Sequence, residues 1–191
     1  MNISQSIAQL LTHPATGLVT LAFLTVMIAP NATRITVESD SARLSFVNGV
    51  TLVDQHLLNG HVIERFADGT IKRDAAYRHG KLQGATRGWH MNGKPDYVRT
   101  YLDGIEEGTH EGWYDNGSRR FEYNFVHGVS QGVSKQWYSN GKPYTLFHFD
   151  NGQESGQQQM WDTDGKLRAN YIIRDGRRYG LPGSLGCRGA S

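Results

Sequence analysis

The stretch Gly112-Trp-Tyr-Asp-Asn-Gly117, carried on through Arg119-Arg-Phe-Glu-Tyr-Asn-Phe-Val126 to His127-Gly128 and Gly132, decides the fold. Asn116-Gly117 is a strong two-residue hairpin signal, because a type I′ turn needs positive φ at both central positions. Beyond it, Phe121, Tyr123 and Phe125 alternate with Arg120, Glu122 and Asn124. That period of two marks a strand with one apolar and one polar face. His127-Gly128 makes the return turn. Gly132 opens the next strand, where a side chain is expected to strike a neighbouring ring.

The same stretch recurs at a fixed step of 24 residues, without a gap, from about residue 65 to 180. Gly69, Gly93, Gly117, Gly141 and Gly165 form one column. Gly80, Gly104, Gly128, Gly152 and Gly176 form a second, and Gly84, Gly108, Gly132, Gly156 and Gly180 a third. Trp89, Trp113, Trp137 and Trp161, all the tryptophans of the chain, share a column. Tyr77, Tyr101, Phe125 and Phe149 share another, continued by Ile173. Asn92-Gly93 and Asn140-Gly141 repeat the turn signal, and Asp68-Gly69 and Asp164-Gly165 give it in aspartate form. Each unit reads as one β-hairpin pairing edge to edge with the next, and no unit buries enough surface to stand alone.

The expected fold is all-β, an elongated antiparallel β-meander of five hairpin repeats over residues 65–180. Residues 34–64 read as a degenerate first repeat. Gly49 and Gly60 keep the spacing of the first two glycine columns, but the step from Gly60 to Gly80 is shortened to 20 residues. Residues 181–191 read as a cap or tail in which Pro182 blocks further pairing.

Composition agrees. Glycine is 23 of 191 residues and aromatics are 10%, which suits short strands and tight turns and does not suit disorder. A net charge of +2 gives no global field for nucleic acid. One local bias runs from Lys166 through Arg168, Arg174, Arg177 and Arg178 to Arg188, opposed only by Asp175. It reads as a solvated terminal repeat, with a docking patch as the alternative. Cys187 is the only cysteine, so no intrachain disulfide and no cysteine-based zinc site can form.

Residues 1–33 contain no Asp, Glu, Lys or Arg before Arg34, and 17–29 are a mostly apolar run ended by Pro30. The run has the length of a signal-peptide core, shorter than the ~20 residues of a membrane span. A cleaved signal, an uncleaved signal anchor and a buried hydrophobic helix are the three readings. Export is expected, with cleavage left open, and the chain would then be periplasmic or anchored in the inner membrane facing the periplasm.

The motifs Gly112-Trp-Tyr-Asp-Asn-Gly117 and Tyr123-Asn-Phe-Val-His-Gly128 resemble MORN repeats, specifically the bacterial variant of YwqK-type antitoxin-like proteins, over roughly residues 46–180. The resemblance implies a twisted antiparallel meander with an aromatic groove. It also implies binding or scaffolding, with protein and membrane contacts both possible, or an antitoxin that blocks a partner toxin.

Little in the chain suggests catalysis. His79 and His127 share a turn column with Asp and Asn. His90, His110 and His148 fall in different columns, and His56 and His61 flank the degenerate unit. No spacing there matches a metal site, so no metal and no cofactor is expected. Glu106-Glu107, Asp162 and Asp164 sit in turns, and no phosphate loop or Gly-x-Ser-x-Gly occurs. Cys187 beside Arg188 lacks a resolving partner. The chain therefore reads as a noncatalytic exported module that binds another protein, with no nucleic-acid role. The alternatives are a membrane-associated structural module, held through residues 17–29, and an antitoxin-like inhibitor. Trp89, Trp113, Tyr114, Trp137, Tyr138 and Trp161 are the candidate partner-binding aromatic face. Gly69, Gly93, Gly117, Gly141 and Gly165 are the structural turn glycines.

Overall fold

The computed structural model describes residues 34–181. The expected N-terminal helix, the signal segment, the Pro182 cap and Cys187 lie outside the described residues. The chain divides into two units, Met1–Asn31 and Ala32–Ser191, and all the described residues belong to the second.

The described chain is all-β, and most of it is one fifteen-stranded sheet whose strands follow one another antiparallel in chain order. Each repeat contributes one strand pair, as Gly108–Trp113 with Arg119–Val126 and Gly132–Trp137 with Pro143–Asp150. Short strands Ile105–Glu106, Val129–Ser130 and Gln153–Glu154 follow the return turns, and Arg177–Leu181 ends the sheet. The predicted meander over 65–180 is present. One departure from antiparallel order occurs at the far edge, where Ile35–Glu38 runs parallel to Gly60–Arg65.

The two turns of the hairpin are the reverse of the sequence expectation. The Asn-Gly turn is not type I′: Gly117 has φ 92°, while Asn116 is not among the residues of positive φ. The Gly117 N–H donates to Tyr114 O at 2.8 Å and Tyr114 N–H donates to Ser118 O at 2.9 Å. A type I turn closed by one left-handed glycine and a bulge gives that pattern. The I′ turn is the return turn, where His127 (φ 50°) and Gly128 (φ 78°) lie between the paired Val126 and Val129. His79, Asp103, Asn151 and Asp175 adopt the same left-handed conformation in their units. Asn-Gly does form a two-residue I′ turn at Asn48-Gly49, where Val47 faces Val50 directly.

The third glycine column is also explained differently. A Cβ on Gly84, Gly108, Gly132 or Gly156 would meet nothing within 4 Å, so no ring is in the way. What those positions require is positive φ, between 70° and 81°. They sit in a wide bulge: Tyr101 faces Glu106 and Val98 faces Glu111, so three steps on one strand oppose five on the other. The glycines that do meet rings are Gly88 and Gly112, where a Cβ would overlap Tyr97 and Phe121 directly across the sheet. At the equivalent positions of later repeats the sizes invert. Gln136 faces Thr145, and Met160 faces Ala169.

The first unit is not shortened. Gly60 pairs with Tyr77 as Gly84 pairs with Tyr101, which places Gly60 in the third glycine column, 24 residues before Gly84. The Leu58 carbonyl accepts from Gly80 N–H at 2.9 Å, as the Leu82 carbonyl accepts from Gly104 N–H at 2.8 Å. The residues before it form a small sheet of Leu44–Val47, Val50–Val53 and His56–Leu57. This sheet caps the array and encloses an apolar core of Val37, Val53, Leu58 and Val62, packed by Ile35, Leu44 and Tyr77. An array end has no neighbour to bury its face, so a terminal cap must differ from its repeats.

Candidate functional site

From Pro95 onward the described strands all belong to the one large sheet. Strand alternation collects the rings of the repeat on one face. In the repeat 119–126 these are Phe121, Tyr123 and Phe125, and in the next they are Phe147 and Phe149. Phe121 is buried and stacks on Tyr123 with centroids 4.8 Å apart, while Tyr123, Phe125, Phe147 and Phe149 are half-buried. Burial pushes the Tyr123 phenol above its ordinary pKa, although Gln136 donates a hydrogen bond to its oxygen at 2.7 Å. Half-covered rings in a row leave apolar area at the surface of this face.

The candidate residues Trp89, Trp113, Trp137 and Trp161 stand elsewhere in the repeat. Each ends its strand beside a bulge, opposite Pro95, Arg119, Pro143 and Leu167 respectively, at the base of the Asn-Gly turn. All four are half-buried, and the Arg119 guanidinium lies 6.0 Å from the Trp137 ring. Tyr114 and Tyr138 are tied to the next repeat: their hydroxyls donate to the carbonyls of Trp137 and Trp161 at 2.8 and 2.9 Å. His90 occupies the same column and reaches the Trp113 carbonyl at 2.9 Å, so its Nε2 carries the proton. Of the six, Tyr114, Trp137 and Tyr138 are brought together around one depression, with Tyr123 and Tyr144. The others are repeated one per unit along the sheet. The five turn glycines all have positive φ, from 79° to 92°.

Two sets of side chains that single-unit reading misses hold the repeats in step. On the Asn-Gly side, Asn92 and Asn116 each donate to a carbonyl of the following turn, Asp115 and Ser139, at 2.8 Å. Each also accepts the backbone N–H two residues on, which explains Asn in place of Asp there. On the other side, the bulge residues Gln83, Glu107 and Gln131 accept the N–H of Asp103, His127 and Asn151 at 2.8 to 3.0 Å. Asn59 does the same for His79 at 2.9 Å. The signal was the polar column preceding the third glycine, which aligns only when the units are stacked.

Charged groups pair locally. Arg119 bridges Glu111 and Glu122, Arg120 meets Asp96 at 2.7 Å, and Arg178 meets Glu154 at 3.2 Å. Among the described residues no group of His, Cys, Asp and Glu is arranged to hold a metal. There too, no helix is long and apolar enough to cross a membrane.

The comparison with family models falls on the middle of the array, from Ser130 through the strand pair to Asn151. Residues 130–151 match the MORN repeat variant. The matched MORN unit runs from after one I′ turn into the next, and the 24-residue frame carries its geometry to the neighbouring units. MORN repeats are protein- or membrane-binding modules in general. No curated protein matches the chain.

Proposed function

We propose that this chain is a noncatalytic binding protein that grips another protein through the ring-bearing face of its sheet. The observation that carries the reading is the row of half-covered rings, Tyr101, Tyr123, Phe125, Phe147 and Phe149, on one continuous sheet. Those rings supply rigid, low-entropy contact area of the kind protein interfaces use. The uncharged leading segment with its apolar run at 17–29 supports export, and with it a scaffolding place in a bacterial envelope.

The test joins localisation to binding. Cell fractionation with N-terminal sequencing is expected to find the chain outside the cytosol. Crosslinking of the native chain in its host, followed by purification, is expected to yield one stoichiometric protein partner whose binding is lost in Phe125→Ser and Phe149→Ser while the fold persists. Intact chain in the cytosol overturns export and favours the antitoxin-like alternative. Binding to anionic vesicles in place of a protein partner favours the membrane-associated alternative.

A further inference from the structure

Across the middle of the ring-bearing face, two repeats plug the gap between neighbouring rings with a long side chain of their own, whereas the equivalent Thr86 is short and its buried hydroxyl has no partner. His110, 2% exposed, lies 4.7 Å from the Phe125 ring and 5.7 Å from Tyr101, and its Nε2 donates to the Thr100 carbonyl at 2.9 Å. Gln158, with no exposure, donates through Nε2 to the His148 carbonyl at 2.9 Å. Both carbonyls stand at the same place in the repeat, and each also accepts a backbone N–H, from Glu107 at 3.0 Å and Ser155 at 2.9 Å.

The repeat between them has the same backbone and a different plug. Its equivalent carbonyl, on Asn124, accepts the Gln131 N–H at 2.9 Å. Its plug position is Ser134, which faces Phe147. A hydroxymethyl group ends where an imidazole or carboxamide would go on to the carbonyl. What remains is a cavity of about 270 Å³ walled by Tyr123, Phe125, Phe147 and Phe149, with Ser134 and Thr145 in its lining. A carbonyl oxygen has two lone pairs, so the Asn124 oxygen, with the Gln131 N–H on one, keeps the other for a second donor.

We propose that this slot binds a planar ring carrying an N–H donor, an indole or imidazole, which enters between the rings and donates to the Asn124 carbonyl. His110 and Gln158 show within the same molecule what such a group does there. Aromatic walls favour a flat group, and the carbonyl selects for the N–H. The inference rests on the protein-binding reading only for the source of the ring, taken as a Trp side chain of the partner.

The experiment titrates the full chain with indole and with benzofuran, its isostere without an N–H, followed by amide NMR. Indole is expected to shift the Ser134 and Thr145 resonances saturably, and benzofuran to bind about tenfold more weakly, the loss of one hydrogen bond. Ser134→His, which installs the neighbouring plug, is expected to abolish saturable binding, and Ser134→Gln provides the same block should the first variant misfold. Saturable indole binding to either plugged variant, equal binding of benzofuran, or no saturable binding to the native chain overturns the proposal. N-acetyltryptophanamide separates the two readings. Its binding at the same resonances supports the partner side chain as source, whereas indole binding without it refutes that source and retains the slot.

Discussion

Gly112 offers a test in which the sign of a one-methyl change depends on a single ring. Its φ is not positive, so alanine fits the backbone. On conformational grounds alone, Gly112→Ala should then stabilise the chain by about 0.4–1 kcal/mol. Against this stands Phe121 on the neighbouring strand, whose ring a Cβ at 112 would overlap. Phe121 has little freedom to yield, being 8% exposed and stacked on Tyr123 at 4.8 Å and 12°. Overpacking of this kind costs about 1–3 kcal/mol, so the ring wins and the variant should be destabilised. In a Phe121→Ala background the ring is gone, and the same Gly112→Ala should become neutral or mildly stabilising. The difference between the two backgrounds gives a coupling of about 2 kcal/mol, readable as a double-mutant cycle in urea denaturation. Repeat arrays can unfold in parts, so the transition must first be shown to be single with two probes. A neutral Gly112→Ala in the native background, or the same cost with Phe121 removed, refutes the reasoning.

The clasps and the bulges give further expected outcomes. Gln131→Ala frees the Asn151 N–H to water and should cost about 0.5–1.5 kcal/mol, with faster amide exchange at Asn151. Ser155→Gln restores, in the last repeat, the residue type that clasps the following turn at Gln83 and Gln131; a rise in the chemical denaturation midpoint is expected, and a fall would contradict the clasp. Gly108→Ala forces a side chain into φ 72° with open space around it, so about 1–2 kcal/mol should be lost through backbone strain alone. The Asp162 carboxyl is held below its ordinary pKa by the Lys166 backbone N–H, with Arg168 adding to the shift. A depressed folded pKa contributes stability above the unfolded value of ~3.9, and that contribution is lost as pH falls through the lower folded value. Asp162→Asn should therefore flatten the acid limb of a stability-against-pH curve without moving its neutral plateau upward.

The period and the strand alternation were legible because both are local: Phe121, Tyr123 and Phe125 point one way whatever surrounds them. The turn types were not. Asn-Gly suits a two-residue I′ turn, and forms one at Asn48-Gly49, yet at Asn116-Gly117 the bulge beside Trp113 adds residues and shifts the left-handed position onto glycine alone. Gly60 follows Gly49 at the spacing of the first two glycine columns, while its true station is set by pairing with Tyr77 across strands. The tryptophan column is regular, and regularity marks a structural station as readily as a contact surface. The Ser134 slot is visible only by comparing His110, Ser134 and Gln158 between carbonyls that strand pairing brings to each of them.

The clasps between repeats share a direction. Asn59, Gln83, Glu107 and Gln131 receive an N–H from a turn 20 residues later, and Asn92 and Asn116 give theirs to a carbonyl 23 residues later. In every case the side chain belongs to the earlier repeat and the backbone to the later one. Because the earlier repeat leaves the ribosome first, each emerging turn can meet a receiver that precedes it in the chain. Such an array can be built in the order of its synthesis, one unit at a time, with each new hairpin templated by the last.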